Sequence, residues 1–115
     1  MLAGRLAGRL SRANPARGEV SLVIDGVERR LRLTLGALAA LEGRLEAGGL
    51  VALAERFEGG QVSAADLAAL IAAGLSGAGE PMDEAAVLGA EIEGGAAGAM
   101  RAGMTLLARS FGTAR

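Results

Sequence analysis

Two short runs of alternating apolar and polar residues, separated by Asp25 and Gly26, restrict the fold more strongly than any other stretch of the chain. The first run reads EVSLVI at residues 19–24, and the second reads VERRLRL at residues 27–33. An Asp-Gly pair between such runs is typical of a hairpin turn, because a two-residue type I′ turn needs positive φ at both central positions. The pattern therefore predicts an N-terminal β-hairpin.

A two-residue turn also fixes the register of the predicted strands, and with it the face that we expect to be buried. That face carries, in facing pairs, Ile24 and Val27, Leu22 and Arg29, and Val20 and Leu31. On the other face, Glu19 lies opposite Arg32, a pair of opposite charge. An isolated hairpin is marginal in water, so this one must pack on helices, recruit further strands or lend its free edges to a neighbouring chain.

Apolar residues at helical spacing predict four or five short helices after the hairpin. The helices are expected at about residues 35–46, 50–58, 64–75, 84–92 and 95–111. The side chains expected to cap their N-termini are those of Thr34, Ser63 and Asp83. Phe57 and Phe111, the two aromatic residues of the chain, fall at predicted core positions. The predicted fold class is α+β, mostly α, with an N-terminal β-hairpin followed by four or five short α-helices.

The N-terminal segment differs in composition from the rest of the chain. It repeats the motif Leu-Ala-Gly-Arg at residues 2–5 and 6–9 and contains no acidic residue. Its apolar run is too short and too interrupted for a signal peptide or a membrane span. We expect residues 1–14 to be a disordered basic extension and residues 15–112 to form a single domain. Because the sequence shows neither a membrane-spanning segment nor a signal peptide, we expect a cytoplasmic protein.

The composition excludes several classes of chemistry. The chain of 115 residues has no His and no Cys, which rules out a Ser-His-Asp triad, a Cys/His zinc site and a redox role. The clustered carboxylates lack the spacing of an EF-hand, and so small a domain offers few residues to line a catalytic cleft, so we expect no enzymatic activity, no cofactor and no metal. The formal net charge of −1 and the scarcity of aromatic residues disfavour nucleic acid as a partner. The abundance of Gly and Ala and the lack of Lys are attributed to a GC-rich coding genome.

Charge is distributed unevenly along the sequence. Residues 1–32 carry a net charge of +4, and residues 33–115 carry −5. The two potentials could orient the molecule against a partner or a second copy, or could reflect a basic tail beside an acidic domain. The densest basic patch is formed by Arg29, Arg30 and Arg32, which either recognises an acidic partner or pairs across the hairpin.

An apolar stripe is predicted on the last helix, at a spacing of four, three and four residues. Such a stripe is either part of the core or a groove for a partner helix, and its Met side chains would adapt to varied partners. The candidate residues for self-association or partner binding, on the hairpin and on this helix, are Val20, Leu22, Ile24, Val27, Arg29, Arg30, Leu31, Arg32, Met100, Met104, Leu107 and Phe111.

Several segments resemble the small gene transfer agent family proteins of alphaproteobacteria, which belong to the tail assembly chaperones of phage-like particles. The similar segments read NPARGEV at residues 14–20, LRLTLGALAALE at residues 31–42, LAERF at residues 53–57 and LLARSFG at residues 106–112. The resemblance runs from about residue 13 to residue 112. The family usually begins close to the Asn-Pro element, so residues 1–12 depart from its pattern.

The resemblance implies a non-enzymatic tail assembly chaperone of a gene transfer agent or prophage. Proteins similar to this one coat the tape measure protein during tail building, help to recruit tail tube subunits and are absent from the finished particle. The implied partners are the tape measure protein, the tail tube protein and further copies of the chain in a homo-oligomer. The alternatives are a structural connector or tail completion protein of the particle and, less favoured, a small DNA-binding regulator.

Overall fold

A β-hairpin followed by five helices makes up the part of the chain, residues 13–45 and 49–111, that the structure, a computed structural model, describes. After a 3-10 turn at Pro15–Arg17, the strands are β1 (Val20–Ile24) and β2 (Val27–Leu31). The helices are α1 (Leu35–Arg44), α2 (Gly49–Gly59), α3 (Ala64–Gly77), α4 (Glu84–Gly89) and α5 (Gly95–Ser110). The predicted α+β, mostly α, fold class is confirmed. None of these helices is long and apolar enough to cross a membrane.

The hairpin turn forms as its sequence predicts. Asp25 and Gly26 have φ values of 53° and 80°, as a type I′ turn requires, and Ile24 pairs with Val27 across it. The expected register is confirmed as far as the pair of Val20 and Leu31.

The expectation that the whole apolar face is buried is wrong at Val27, which is 51% exposed. Helix α3 crosses the hairpin at its other end, where the Arg32 amide donates to the Gly74 carbonyl. Val27 directly follows the turn and lies beyond this crossing. Ile24, its partner across the turn, is fully buried and forms a β-bridge with Ile92.

The segment after α4 is extended, which makes the predicted helix over residues 84–92 too long. Helix α4 ends at Gly89, and Ala90 adopts an extended conformation with ψ of 159°. The next residues pair with the end of β1: the Asp25 amide donates to the Glu91 carbonyl at 2.7 Å, and the Glu93 amide donates to the Val23 carbonyl at 3.0 Å. Pairing with a distant strand therefore outweighs the local helical spacing.

The start of β1 is held by a buried carboxylate. Glu19 is 3% exposed, and its Oε1 accepts a hydrogen bond from the Asn14 amide at 2.7 Å. Its Oε2 lies 3.9 Å from Nε of Arg17. The predicted cross-strand pair of Glu19 with Arg32 is wrong, because β1 begins only at Val20. Of the predicted extension at residues 1–14, the structure describes Ala13 and Asn14 alone.

The predicted N-caps are confirmed. In each case a side-chain oxygen accepts from a backbone amide three residues further on, which satisfies a donor that the first helical turn leaves unpaired. The distances are 3.1 Å for Thr34, 3.0 Å for Ser63 and 2.8 Å for Asp83. The first predicted helix, over residues 35–46, is too long, because the helix ends at Arg44 and Leu45 is extended. Residues 46–48 lie outside the described residues.

Helix α3 lies at the centre of the fold, in contact with α1, α4, α5 and β2, and α5 also packs on α2 and β1. The fully buried large side chains come from both strands and four of these helices: Ile24, Leu31, Leu41, Leu53, Leu70, Ile71, Leu75 and Leu106. Two glycines allow α3 to approach the hairpin closely. A Cβ at Gly77 would overlap the carbonyl oxygen of Arg32, and one at Gly74 would lie 3.0 Å from Cβ of Leu31.

Ion pairs connect different elements of the fold. They are Arg30–Glu80, Arg44–Glu84 and Arg56–Asp66, with N–O distances of 3.1, 2.9 and 2.8 Å. The side chains involved are partly exposed, so each pair contributes at most about 1 kcal/mol to stability. The pairs fix the positions of loops and helix ends more than they stabilise the core.

Candidate docking surface

The buried face of the hairpin accounts for four of the candidate binding residues. Val20, Leu22, Ile24 and Leu31 are each less than 10% exposed. The face they form packs against α3 and α5. In the single chain these side chains therefore belong to the core and offer no surface to a partner.

The three arginines of the predicted basic patch do not lie together. Arg29 is on the core face of the hairpin, opposite Leu22, whereas Arg30 and Arg32 are on the other face. The Nε of Arg29 is buried and has no hydrogen-bond partner among the described residues. Arg30 is engaged, since its Nε donates to Oε2 of Glu80 at 3.1 Å. The structure therefore divides the patch between two faces.

The predicted stripe on α5 lies at the margin of the core. The buried face of the helix is formed mainly by small residues at positions 98, 99, 102 and 103, together with Leu106 and Leu107. Met100 is half-buried and Met104 is 47% exposed. Phe111 is 46% exposed, so its predicted core position is wrong. Phe111 directly follows Ser110, the last residue of α5, and lies beyond the part of the helix that packs on the core.

An apolar groove runs between α2 and the C-terminal half of α5. Its floor includes Phe57, which is 4% exposed, and Leu107, which is 5% exposed. Two hollows, of about 310 and about 640 Å³, share Ala54, Glu58 and Phe111 in their linings. We call this feature the α2–α5 groove, and its apolar lining consists of Leu50, Val51, Ala54, Phe57, Met104, Leu107, Ala108 and Phe111.

Acidic side chains lie on the side of the groove that α1 and α2 form. Glu42, at the side of α1, and Glu55 and Glu58 on α2 line its hollows, and no arginine does so among the described residues. All three glutamates are exposed. An apolar floor with an acidic rim suits a ligand that is apolar on one side and basic beside it. An amphipathic helix with a basic flank has this chemistry.

The sequence pattern missed the part of the groove that α2 supplies. Val51 is 69% exposed. The helical spacing of Leu50, Leu53, Ala54 and Phe57 defines an apolar face of α2 that does not include it. The sequence does contain one indication of this surface, since Val51 is a β-branched apolar residue on a helix face that is otherwise polar. Its proximity to Phe111 depends on the packing of two helices about fifty residues apart, which no local pattern contains.

A second apolar hollow lies between α3, α4 and the start of α5. It has a volume of about 220 Å³ and is bordered by Leu88, which is 58% exposed. Within the described ranges, no group of three or more acidic side chains is placed to hold a metal ion. The α2–α5 groove differs from this hollow in its larger volume and in the glutamates beside its apolar lining.

Comparison with known proteins identifies one relationship. A family model described as phage tail tube protein, GTA-gp10, matches residues 17–113. The match covers nearly all of the described structure, including both sides of the α2–α5 groove. No curated protein and no solved structure matches the chain.

Proposed function

The chain belongs to the phage tail tube protein family, GTA-gp10, and on that premise we propose that it is a tail assembly chaperone that binds the tape measure protein of a gene transfer agent or related prophage. The observation that carries the proposal is the α2–α5 groove. Val51, Met104 and Phe111 expose apolar surface at one place on a small domain. Contiguous exposed apolar surface of this kind marks interaction sites on soluble proteins.

The proposed client is helical. A groove between two helices accepts the apolar face of a third, with anchors at positions i, i+3 or i+4, and i+7. Met104 supports this role because an unbranched thioether side chain adapts to different anchor residues along a long client. The acidic rim would favour client segments with basic residues beside the apolar face and would accelerate encounter with them at low salt. The role needs no catalysis and belongs in the cytoplasm, where tails are assembled.

Self-association is a second part of the proposal, and we assign it to the edge of β2 rather than to the buried face of the hairpin. Within the described residues the sheet has two strands, and β2 has no further strand beside it. The edge of β1, in contrast, is partly covered through the bridge to Ile92. Val27 exposes apolar surface at the start of β2, where a strand from a second copy could pair.

Co-expression with the tape measure candidate encoded beside this chain tests the chaperone role. We expect the client to be recovered in soluble form as a stable complex when both proteins are present, and to aggregate when it is expressed alone. An insoluble client and no complex in the co-expression would contradict the proposal.

A structural subunit of the tail is the second candidate, and the description of the family as tail tube proteins favours it. Mass spectrometry of purified finished particles distinguishes the two roles. A chaperone is absent from the particle, whereas a tail tube subunit, connector or completion protein is retained in it. Detection in stoichiometric amounts would replace the chaperone proposal by the structural one.

A further inference from the structure

We propose that the α2–α5 groove selects an amphipathic helix with basic residues along one flank and binds it in one direction only, an inference that rests on the client role proposed above. The bound helix lies between α2 and α5 with its apolar face on the floor of the groove. The flank that carries its basic residues faces α1 and α2. Charge therefore sets both the client segment that is selected and the direction in which it runs.

The two sides of the groove differ in chemistry. Within the described chain, α5 contributes only apolar residues to the lining. The side formed by α1 and α2 contributes three exposed glutamates, which are Glu42, Glu55 and Glu58. A basic side chain of a bound helix therefore meets carboxylates on one side of the groove and apolar surface on the other.

The charge of the three glutamates is not neutralised within the molecule. Their side chains have no ion pair and no hydrogen bond among the described residues. Arg56, which lies between two of them in sequence, instead donates to Asp66 of α3 at 2.8 Å. Arg109 of α5 donates to the carbonyl oxygen of Glu19, which does not line the groove. The negative potential on this side is therefore available to a basic ligand.

The glutamates form a row along α2. An ideal Cβ position at Gly49 lies 3.4 Å from Oε2 of Glu42, which places that carboxylate beside the first turn of the helix. Glu55 and Glu58 follow further along α2, so the row extends over about 14 Å. A helix lying alongside α2 presents about nine residues over this length, enough for two or three basic residues on one flank.

A groove with one charged side determines the direction of its ligand, because the two flanks of an amphipathic helix are distinct. In a heptad with apolar positions a and d, positions e and g lie on opposite sides of the apolar face. Reversing the helix with its apolar face still on the floor moves the flank that faced the glutamates to the α5 side. A client with basic residues on one flank therefore gains ion pairs in one direction only, and copies bound to successive segments of this type point the same way.

Two synthetic peptides of two heptads test the direction. Both carry Leu at positions a and d, and one carries Arg at the e positions whereas the other carries Arg at the g positions, with Gln on the opposite flank. Because the chain has no cysteine, Val51→Cys and Gly59→Cys provide single thiols near the two ends of α2, at exposed positions about 12 Å apart. A Cys at the peptide N-terminus should form a disulfide at least about threefold faster with one variant than with the other, and the preferred variant should change between the two peptides.

Neutral variants of the glutamate row separate the charge effect from apolar docking. In Glu55→Gln with Glu58→Gln, both Arg peptides should bind about fivefold more weakly and lose the preference for one end, whereas a peptide with Gln on both flanks should bind as it does to the parent. Glu91→Gln with Glu93→Gln removes the same charge from exposed positions outside the groove and should behave as the parent. Circular dichroism verifies that each variant is folded.

Peptides that bind with no preferred end, or with the same preferred end for both Arg peptides, would overturn the proposal and leave the client role intact. Failure of all three peptides to bind would overturn it together with the assignment of a helical ligand to the groove. The co-expression test of the chaperone role uses the native client and no peptide, so the two failures are distinguishable.

Discussion

Acidic side chains at the two ends of β1 attach the hairpin to the rest of the molecule. At one end, the buried carboxylate of Glu19 accepts from Asn14, and its carbonyl accepts from Arg109. At the other end, Oδ1 of Asp25 accepts from the Glu91 amide at 2.8 Å. Asp25 is therefore both a turn residue and a link to a segment 66 residues away.

Substitution of Asp25 separates these two roles. Asp25→Asn keeps an oxygen acceptor and tolerates positive φ, so we expect a stability close to that of the parent. Asp25→Gly keeps the turn but loses the acceptor, and should cost about 1 kcal/mol. Asp25→Ala loses both and should cost about 2 to 3 kcal/mol. Urea denaturation measures the series, and a Gly variant less stable than the Ala variant would contradict this assignment.

Replacing Glu19 should be costly because its carboxylate is buried with its partner. Glu19→Ala leaves the Asn14 amide without its acceptor, and we expect a loss of about 1 to 3 kcal/mol. Glu19→Gln keeps an amide oxygen of similar shape and should lose less. Thermal unfolding followed by circular dichroism gives the comparison. If both variants are as stable as the parent, the buried contact does not stabilise the fold.

At the scale of elements, local chemistry predicted where each element begins, and distant contacts decided where the pattern failed. The turn at Gly26 and the cap at Thr34 depend on a few neighbouring residues, which is why the sequence predicts them. Ile92 was assigned to a helix because its spacing is helical, but its backbone pairs with β1. The abundance of glycine is attributed above to coding bias. Gly74 and Gly77 nevertheless have a structural role, because they lie against the hairpin at close range.

The approach of α3 to β2 predicts opposite effects for two helical glycines. Gly77→Ala places a Cβ against the carbonyl oxygen of Arg32, and we expect a loss of about 1 to 3 kcal/mol. Gly43→Ala, in α1, has no described heavy atom within 4 Å and should gain about 0.5 to 1 kcal/mol from higher helix propensity. Chemical denaturation of both variants tests the difference. A neutral Gly77→Ala would mean that α3 does not approach the hairpin so closely.

The exposed end of β2 predicts which hairpin variant affects self-association. Val27→Asp should weaken a homo-oligomer while leaving the fold intact, because the side chain is half exposed. Leu22→Asp should instead unfold the chain, since Leu22 is 7% exposed in the core. Light scattering and circular dichroism, measured together, separate the two effects. An oligomer that is unchanged in a folded Val27→Asp variant would exclude this edge.

At the scale of the whole molecule, packing of α2 against α5 creates the surface to which the function is assigned. Sequence spacing identifies Met104 and Phe111 as candidates, but it places Phe111 in the core, whereas the structure exposes it. It could not identify Val51 as their neighbour, because that contact depends on how α5 packs its small-residue face against the centre of the fold. The acidic rim arises in the same way, from α1 and α2 together.

The most direct test of the account compares Met104→Glu with Leu35→Glu in co-expression with the tape measure client. Both side chains are exposed, at 47% and 85%, but only Met104 lines the α2–α5 groove. The account predicts that Met104→Glu, while remaining folded, weakens the complex about tenfold, which is about 1.4 kcal/mol of binding free energy, and lowers the recovery of soluble client. Leu35→Glu should recover the client as the parent does. Equal recovery with both variants would contradict the claim that the groove binds the client.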